Sequence, residues 1–329
     1  MLKVIFLCQH KNLPSTRIRV FNLLPILEQE NIKVNTLIYP KKISEKIRLF
    51  KSLKHYDVVV LQKKLLTSFE TSLLRRFSKK LIFDFDDAIF INDDSSDTLE
   101  STTRLKRFKK IASLSDGIIA GNPYLAQKAE EYNKNVFILP SAVFTEGIPT
   151  KSYLQEPNDK LVLGWVGGGT NLHHLNTLSS ALKTLSREIP FVLRVISNKK
   201  FNLEQIHVEN IDWDIKTQDI EIAKFDVGLM PVLKNHWTQG KCSYKALQYM
   251  AAEVVPVATR FGFNIEVIED RITGYLFDSD EEFINCILEI NKNRTKALEM
   301  GKRSRKVVEE KFSVSVIGKR LANILKSFG

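Results

Sequence analysis

Two stretches of this sequence hold residue types that can do chemistry together. In the first, Leu81-Ile82-Phe83-Asp84-Phe85-Asp86-Asp87, an apolar run ends in three carboxylates within four positions. Carboxylates at the end of such a run must meet water, a cation or a partner, because burying them alone is costly. Three uses compete: binding a divalent cation, holding the hydroxyls of a polar ligand, or pairing with Arg17, Arg19 or nearby lysines as scaffolding. In the second, Gly167-Gly168-Gly169-Thr170 follows an apolar run, and glycines let a backbone approach a pyrophosphate and turn amides toward it. Lys241 and Lys245 supply charge that an anion can meet, and Gln248 supplies a neutral donor and acceptor. The plain alternative for both lysines is a solvated helix face.

The elements that must position these residues follow from periodicity. Short β-branched runs at 2–7, 34–39, 57–61, 81–85, 117–121 and 136–139 alternate with amphipathic helical patterns. A second series of runs at 161–166, 191–196, 211–213, 225–232, 254–258 and 275–277 does the same. Apolar runs alternating with helices predict an α/β chain with parallel sheets buried on both faces. In such sheets ligands collect at the carboxyl ends of the strands. Ser15 or Thr16 is placed to cap the first helix, with Arg17 and Arg19 beside it, and Asn122 stands at a later strand-to-helix switch. A helix over about 173–187 follows the triple glycine, with His173 and His174 as surface or packing residues. Residues 140–160, with three prolines and little periodicity, form the linker candidate. The expected domains are 1–150 and 151–315, with the apolar helix at 316–329 crossing back onto the first.

Composition narrows the classes. At 329 residues, 43% hydrophobic and 26% charged, the chain is long enough for two cores. No apolar run is long enough to span a membrane, and the start lacks a signal-peptide cleavage pattern. The three cysteines are far apart and without ligand spacing, which argues for a reducing compartment and against structural zinc. Of the net charge of +11, residues 1–150 carry +8. Nothing resembling a nucleic-acid module accompanies that excess, so a membrane surface or a phosphorylated ligand ranks first. Residues 41–54 place Ile43, Ile47, Phe50 and Leu53 on one helical face, with lysines and Arg48 around the rest. That pattern suits either an anionic membrane interface or a helix packed on its own sheet.

The stretch Gly240 to Ile268, GKCSYKALQYMAAEVVPVATRFGFNIEVI, resembles retaining nucleotide-sugar glycosyltransferases of the GT-B fold, the family-four type also called glycosyl transferases group 1. Their frame reads E-G-F-G-x-x-x-L-E-A-M-A-x-G-x-P-V-V-A-S-x-x-G-G-x-x-E-x-I. Phe225-Asp226-Val227-Gly228-Leu229-Met230-Pro231 is similar to the preceding A-D-V-x-L-x-P strand and loop. The family's E-x7-E pair is missing, with Gly240 at the first position and Gln248 at the second.

The resemblance implies two Rossmann-like, doubly wound parallel-sheet domains facing across a cleft. It implies a nucleotide-diphosphate sugar donor on the second domain and a cell-envelope or surface glycan, or a lipid-linked acceptor, on the first. Donor-side residues are then Gly167, Gly168, Gly169, Thr170, Gly240, Lys241, Lys245, Gln248, Asn264 and Glu266, with His236 and Trp237 lining the sugar pocket. Acceptor-side residues are Ser15, Arg17, Arg19 and Asn122, and the candidates for catalysis are Lys241, Asp86 and Asp87. GT-B members generally need no bound metal, so the carboxylates are assigned acceptor-side or structural roles and no metal or other cofactor is expected. The implied location is cytoplasmic, peripheral on the inner face of a membrane. The competing readings are a nucleotide-sugar 2-epimerase of the same architecture and a non-catalytic nucleotide-sugar-binding homologue.

Overall fold

The structure is a computed structural model that describes residues 1–151 and 160–329. Most of the linker candidate, residues 152–159, lies outside the described residues. The chain divides into two compact units. One comprises Met1–Ala142, His236–Cys242 and Phe312–Gly329; the other comprises Val143–Asn235 and Ser243–Lys311. The short piece His236–Cys242 thus folds with the first unit although it lies deep in the second half of the sequence.

The first unit is built on the strands β1 (Leu2–Cys8), β2 (Ile32–Ile38), β3 (Val58–Gln62), β4 (Lys80–Phe85), β5 (Gly117–Ala120) and β6 (Val136–Ile138). They pair in parallel in the order β2-β1-β3-β4-β5-β6, so the winding direction reverses between β1 and β3. Alternation along each strand sends side chains to opposite faces. Ile5, Leu7, Val59, Leu61, Leu81, Phe83 and Phe85 therefore join one core. Val4, Phe6, Cys8, Val58, Val60 and Ile82 join the other. Phe108, from the helix Thr102–Leu114, meets Phe85 edge-on at 5.2 Å in the first core. The last helix, Val314–Lys326, buries Ile317, Leu321 and Leu325 in the second, and its Lys326 pairs with Glu30 at 2.7 Å.

The second unit holds β7 (Leu161–Val166), β8 (Phe191–Ser197), β9 (Val208–Asp212), β10 (Val227–Met230), β11 (Val255–Thr259) and β12 (Tyr275–Phe277). Their parallel order is β12-β11-β10-β7-β8-β9, a doubly wound sheet that reverses between β7 and β10. Ligands of open α/β sheets bind beyond the carboxyl ends of strands at such reversals. Here the residues beyond β7 are the triple glycine.

The expected helix after those glycines is broken. A single 3-10 turn at Gly169–Asn171 leads into the separate helices Leu172–Asn176 and Ser179–Leu185.

Asp226 sets the register at the reversal. Its amide donates to Val162 O at 2.8 Å, and its Oδ2 accepts from Val162 N at 2.7 Å. Lys151 Nζ lies 2.8 Å from Oδ1 of the same carboxylate, which is buried. Replacing Asp226 by Ala leaves the β7 amide without a charged acceptor, so we expect a loss of about 2 kcal/mol, read from the urea midpoint at unchanged slope.

Candidate functional site

In the first unit the sequence-marked carboxylates gather at the carboxyl end of β4. Asp84 points to the face opposite Phe83 and Phe85, and there it meets Arg19 of the helix Pro14–Arg19. Arg19 Nε lies 3.1 and 3.0 Å from the two Asp84 oxygens, Nη2 lies 2.5 Å from Oδ1, and Nη1 donates to Leu139 O at 2.9 Å. Such a two-pronged fork marks an ionised pair. Burial holds the Asp84 carboxyl above its ordinary value even with Arg19 beside it. Burial likewise works against the charge of Arg19, yet Asp84 keeps its guanidinium protonated and above its own usual value. Arg19 is 4% exposed, so the acceptor-side role expected of it gives way to scaffolding.

Asp86 and Asp87 turn toward Lys63, the residue that follows β3. Lys63 has a left-handed backbone, φ 57°, and its amide donates to Asp84 O at 2.7 Å. That conformation costs a non-glycine residue about 1–2 kcal/mol and aims the side chain at the β4 end. Lys63 Nζ bonds Asp87 Oδ2 and lies 3.0 Å from Asp86 Oδ1, out of hydrogen-bond line with the latter. Burial opposes the ammonium charge, but Asp86 and Asp87 raise it above the normal lysine value. Burial also acts to raise Asp87, and Lys63 with Lys241 overcomes it to hold that carboxyl below the usual range.

The piece His236–Cys242 closes over this cluster. Lys241 Nζ lies 3.6 Å from Asp87 Oδ1 and 4.9 Å above the Trp237 ring, and Trp237 packs on the first unit's core. Cys242 Sγ contacts Asp86 O at 3.3 Å, and His236 stacks on Tyr124 with centroids 6.5 Å apart. Asn122 holds the piece from below. Its Oδ1 caps the helix Pro123–Glu130 at Leu125 N, and its Nδ2 donates to Gln239 O at 3.2 Å and Lys241 O at 2.9 Å. Gly240 passes so near Ala88 that an added Cβ would stand 2.7 Å from Ala88 N. A glutamate there, as in the family frame, would collide with backbone.

These contacts correct several expectations. His236, Trp237, Gly240 and Lys241, expected with the second half of the chain, fold with the first unit, where Trp237 packs on its core and Gly240 passes beside Ala88. Asn122 is a structural clamp, its amide wholly engaged. Ser15 and Thr16 are buried inside the first helix and do not cap it; Leu13 is its N-cap, and Thr16 Oγ1 donates to Gln62 Oε1 at 3.1 Å. Arg17 stays half-exposed on the same helix. Lys63 was missed by sequence reasoning. The only signal was the lysine pair directly after a buried strand.

In the second unit the glycine loop meets the other lysine. An added Cβ on Gly167 would lie 2.8 Å from Lys245 Cε, and Lys245 Nζ sits 5.0 Å above the buried Trp165 ring. Lys245 comes from the helix Tyr244–Ala251, whose start follows Ser243 in the left-handed region, φ 51°. The amides of Gly167 and Gly169 are occupied by Ile196 O at 3.0 Å and Asn198 Oδ1 at 2.7 Å. Gly168 is exposed, and its amide makes no hydrogen bond among the described residues. Thr170 is exposed beside it. An amide and an ammonium at the carboxyl edge of β7 can bind an anion.

Gln248 is buried on the same helix as Lys245, and Tyr249 next to it bonds Leu229 O and Val166 N, both at 3.1 Å. Asn264 is structural: it accepts from Ser243 Oγ at 2.7 Å and donates to Thr259 O at 3.0 Å. Glu266 remains an exposed carboxylate. His174 is buried with Nδ1 3.4 Å from Leu233 N, and His173 Nδ1 lies 2.9 Å from Thr170 O.

Residues 160–293 match the family described as glycosyl transferases group 1, the family the sequence resembles. No curated protein sequence matches the chain. Among solved structures, the Anabaena protein HepE in complex with UDP and glucose superposes with a TM-score of 0.72 at 14% identity, covering 99% of this chain and 100% of its own. Sucrose-phosphate synthase from Thermosynechococcus elongatus gives 0.76 at 14%, covering 99% of each chain. The lipopolysaccharide outer core galactosyltransferase WaaB, in its apo form, gives 0.68 at 12%, again over 99% of each. The α/β architecture with two six-stranded parallel sheets, each wound on both faces, is the fold of these structures.

Two substitutions test the first-unit cluster. Lys63→Met leaves Asp86 without a cation and Asp87 with Lys241 alone, and we expect it to cost about 3 kcal/mol by chemical denaturation. Gly240→Ala should lower stability by about 2 kcal/mol through the Ala88 clash, although the loop is far from the chain's ends. The cluster also has a pH signature. Asp87 is held low, so its contribution is complete above the ordinary aspartate value of 3.8 and is lost as pH falls through its lower folded value. Asp87→Asn should therefore flatten the loss of thermal midpoint seen on acidification below about pH 4.

Proposed function

We propose that this chain is a glycosyltransferase whose second unit takes a nucleotide-diphosphate sugar and whose first unit takes the acceptor. The observation that carries the reading is the glycine loop beyond β7, at the sheet reversal, with Lys245 lying across it inside the segment that matches the glycosyl transferase family. A diphosphate leaving group develops charge as the glycosidic bond breaks, and preorganised donors aimed at that charge lower the barrier. The Gly168 amide and the Lys245 ammonium are the donors this unit offers. The frame's two acids have no carboxylate counterpart here: Gly240 is engaged in the first unit, and Gln248 supplies a neutral side chain where the frame has glutamate.

The reading extends to retention of anomeric configuration, which the family resemblance implies. HepE was solved with UDP and glucose, and WaaB is a lipopolysaccharide galactosyltransferase, which supports a nucleotide-sugar donor and a cell-envelope or surface-glycan acceptor here. No cofactor beyond the donor is invoked. Among the described residues no helix is long and apolar enough to cross a membrane. The helix Ile43–Ser52 presents exposed Ile43 and Ile47 among lysines, which supports peripheral attachment to an anionic inner membrane face.

Incubation with a panel of nucleotide sugars tests the activity. Release of nucleoside diphosphate with an acceptor present supports transfer, whereas a changed sugar without release would mark an epimerase, and binding alone a non-catalytic homologue. Lys245→Ala should weaken nucleoside diphosphate binding about tenfold by calorimetry, roughly 1.4 kcal/mol. Lys241→Ala should leave that affinity unchanged and act on thermal stability through Asp87.

A further inference from the structure

The first unit carries a groove of about 710 Å³ that nothing above uses. It lies at the carboxyl ends of three neighbouring strands: Gln9 and His10 follow β1, Tyr39 to Lys42 follow β2, and Lys64 stands two residues past β3. This is the edge, beside the β1/β3 reversal, where open α/β sheets bind ligands. Lys41, Lys42, Arg48 and Lys64 line it, and among the described residues none of the four forms an ion pair; Glu45 is the one carboxylate in the lining. The neighbouring Lys46, by contrast, is already neutralised by Glu70 at 2.6 Å. Four cations against one carboxylate, drawn around a concave surface, make an anion site.

Tyr39 gives the groove its floor. It is 4% exposed, its hydroxyl has no hydrogen-bond partner among the described residues, and Lys64 Nζ and Lys46 Nζ lie 5.8 and 5.9 Å from its ring centroid. An unpaired buried hydroxyl keeps its desolvation penalty uncompensated, which an entering acceptor oxygen removes. Burial also lowers the Lys64 pKa despite the opposing pull of Glu70, a strain that a bound anion relieves. The opposite wall is apolar: Leu37 and Ile38, at the end of the edge strand β2, are 41% and 38% exposed and line the groove with Leu49.

We propose that this groove binds the phosphate headgroup of an amphiphilic acceptor, with Lys42, Arg48 and Lys64 on the phosphate and Leu37 and Ile38 against the first carbons of its apolar chain. The proposal rests on the reading that the first unit takes the acceptor, and it names that acceptor's chemistry. A free phosphate ester and a lipid headgroup share that chemistry, and the test separates them.

Calorimetry of the full chain with decyl phosphate below its micelle concentration, and with inorganic phosphate, reads the site directly. Decyl phosphate should bind at least tenfold tighter than inorganic phosphate, and the Lys42→Ala/Lys64→Ala double variant should weaken it at least tenfold at unchanged melting temperature. Tyr39→Phe should weaken it several-fold without lowering the melting temperature. The control pair Lys106→Ala/Lys110→Ala, on the helix Thr102–Leu114, should leave affinity as in the native chain. Equal binding of the two phosphates, unchanged affinity in either groove variant, or equal loss in the control overturns the proposal. Co-sedimentation with vesicles of phosphatidic acid in phosphatidylcholine, lost in the double groove variant, assigns the source to a lipid surface; decyl phosphate binding without co-sedimentation assigns it to a soluble ester. None of these readouts needs a donor, so failure of nucleotide-sugar turnover would remove the transferase reading while leaving phosphate binding measurable on its own.

Discussion

The ionised pair of Arg19 and Asp84, enclosed in the first unit, constrains everything at that sheet's carboxyl edge. A carboxylate on the second-core face of β4 can be buried only if a fixed cation meets it, so the helix Pro14–Arg19 must end where it does. With Arg19 also bonded to Leu139 O, three separate parts of the chain are tied at one point. Asp86 and Asp87 then continue past the strand end, and Lys63 accepts a left-handed backbone in order to reach them. The acids that look like a metal or substrate motif in the sequence are a charge-balanced lock in the fold.

That lock explains why the chain departs from the frame of the family it resembles. The frame's first glutamate falls at Gly240, and in this protein the position lies against the Ala88 backbone, with Lys241 on Asp87 and Cys242 on the Asp86 carbonyl. A carboxylate there would meet a steric barrier at Ala88. The loss of the glutamate and the presence of Lys241 are two sides of one electrostatic arrangement. In the second unit the stem of Lys245 crosses Gly167 and its charge sits over Trp165.

Much of this was legible from residue order. The buried runs at 161–166 and 254–258 announce parallel strands because no alternation with polar residues interrupts them. Asp226 and the triple glycine stand out in the sequence as motifs, but the bond from the Val162 amide to Asp226 comes from the fold alone. Lys63 was not legible, because its importance comes from a backbone conformation that no lysine prefers. Nor was the groove floored by Tyr39, since its lining residues come from three strand ends separated in the chain.

The strands, their alternation with helices, the basic bias of the first half and the glycine loop depend on local periodicity and on the chemistry of neighbouring residues, and so they are readable along the chain. Which lysine meets which group depends on packing between residues distant in the chain. Lys241 and Lys245 are four residues apart, and a periodic reading places both on one helix. The peptide at Cys242–Ser243 instead divides them between two units: the left-handed Ser243 starts the helix after Lys241, which stays beside Asp87 and Trp237.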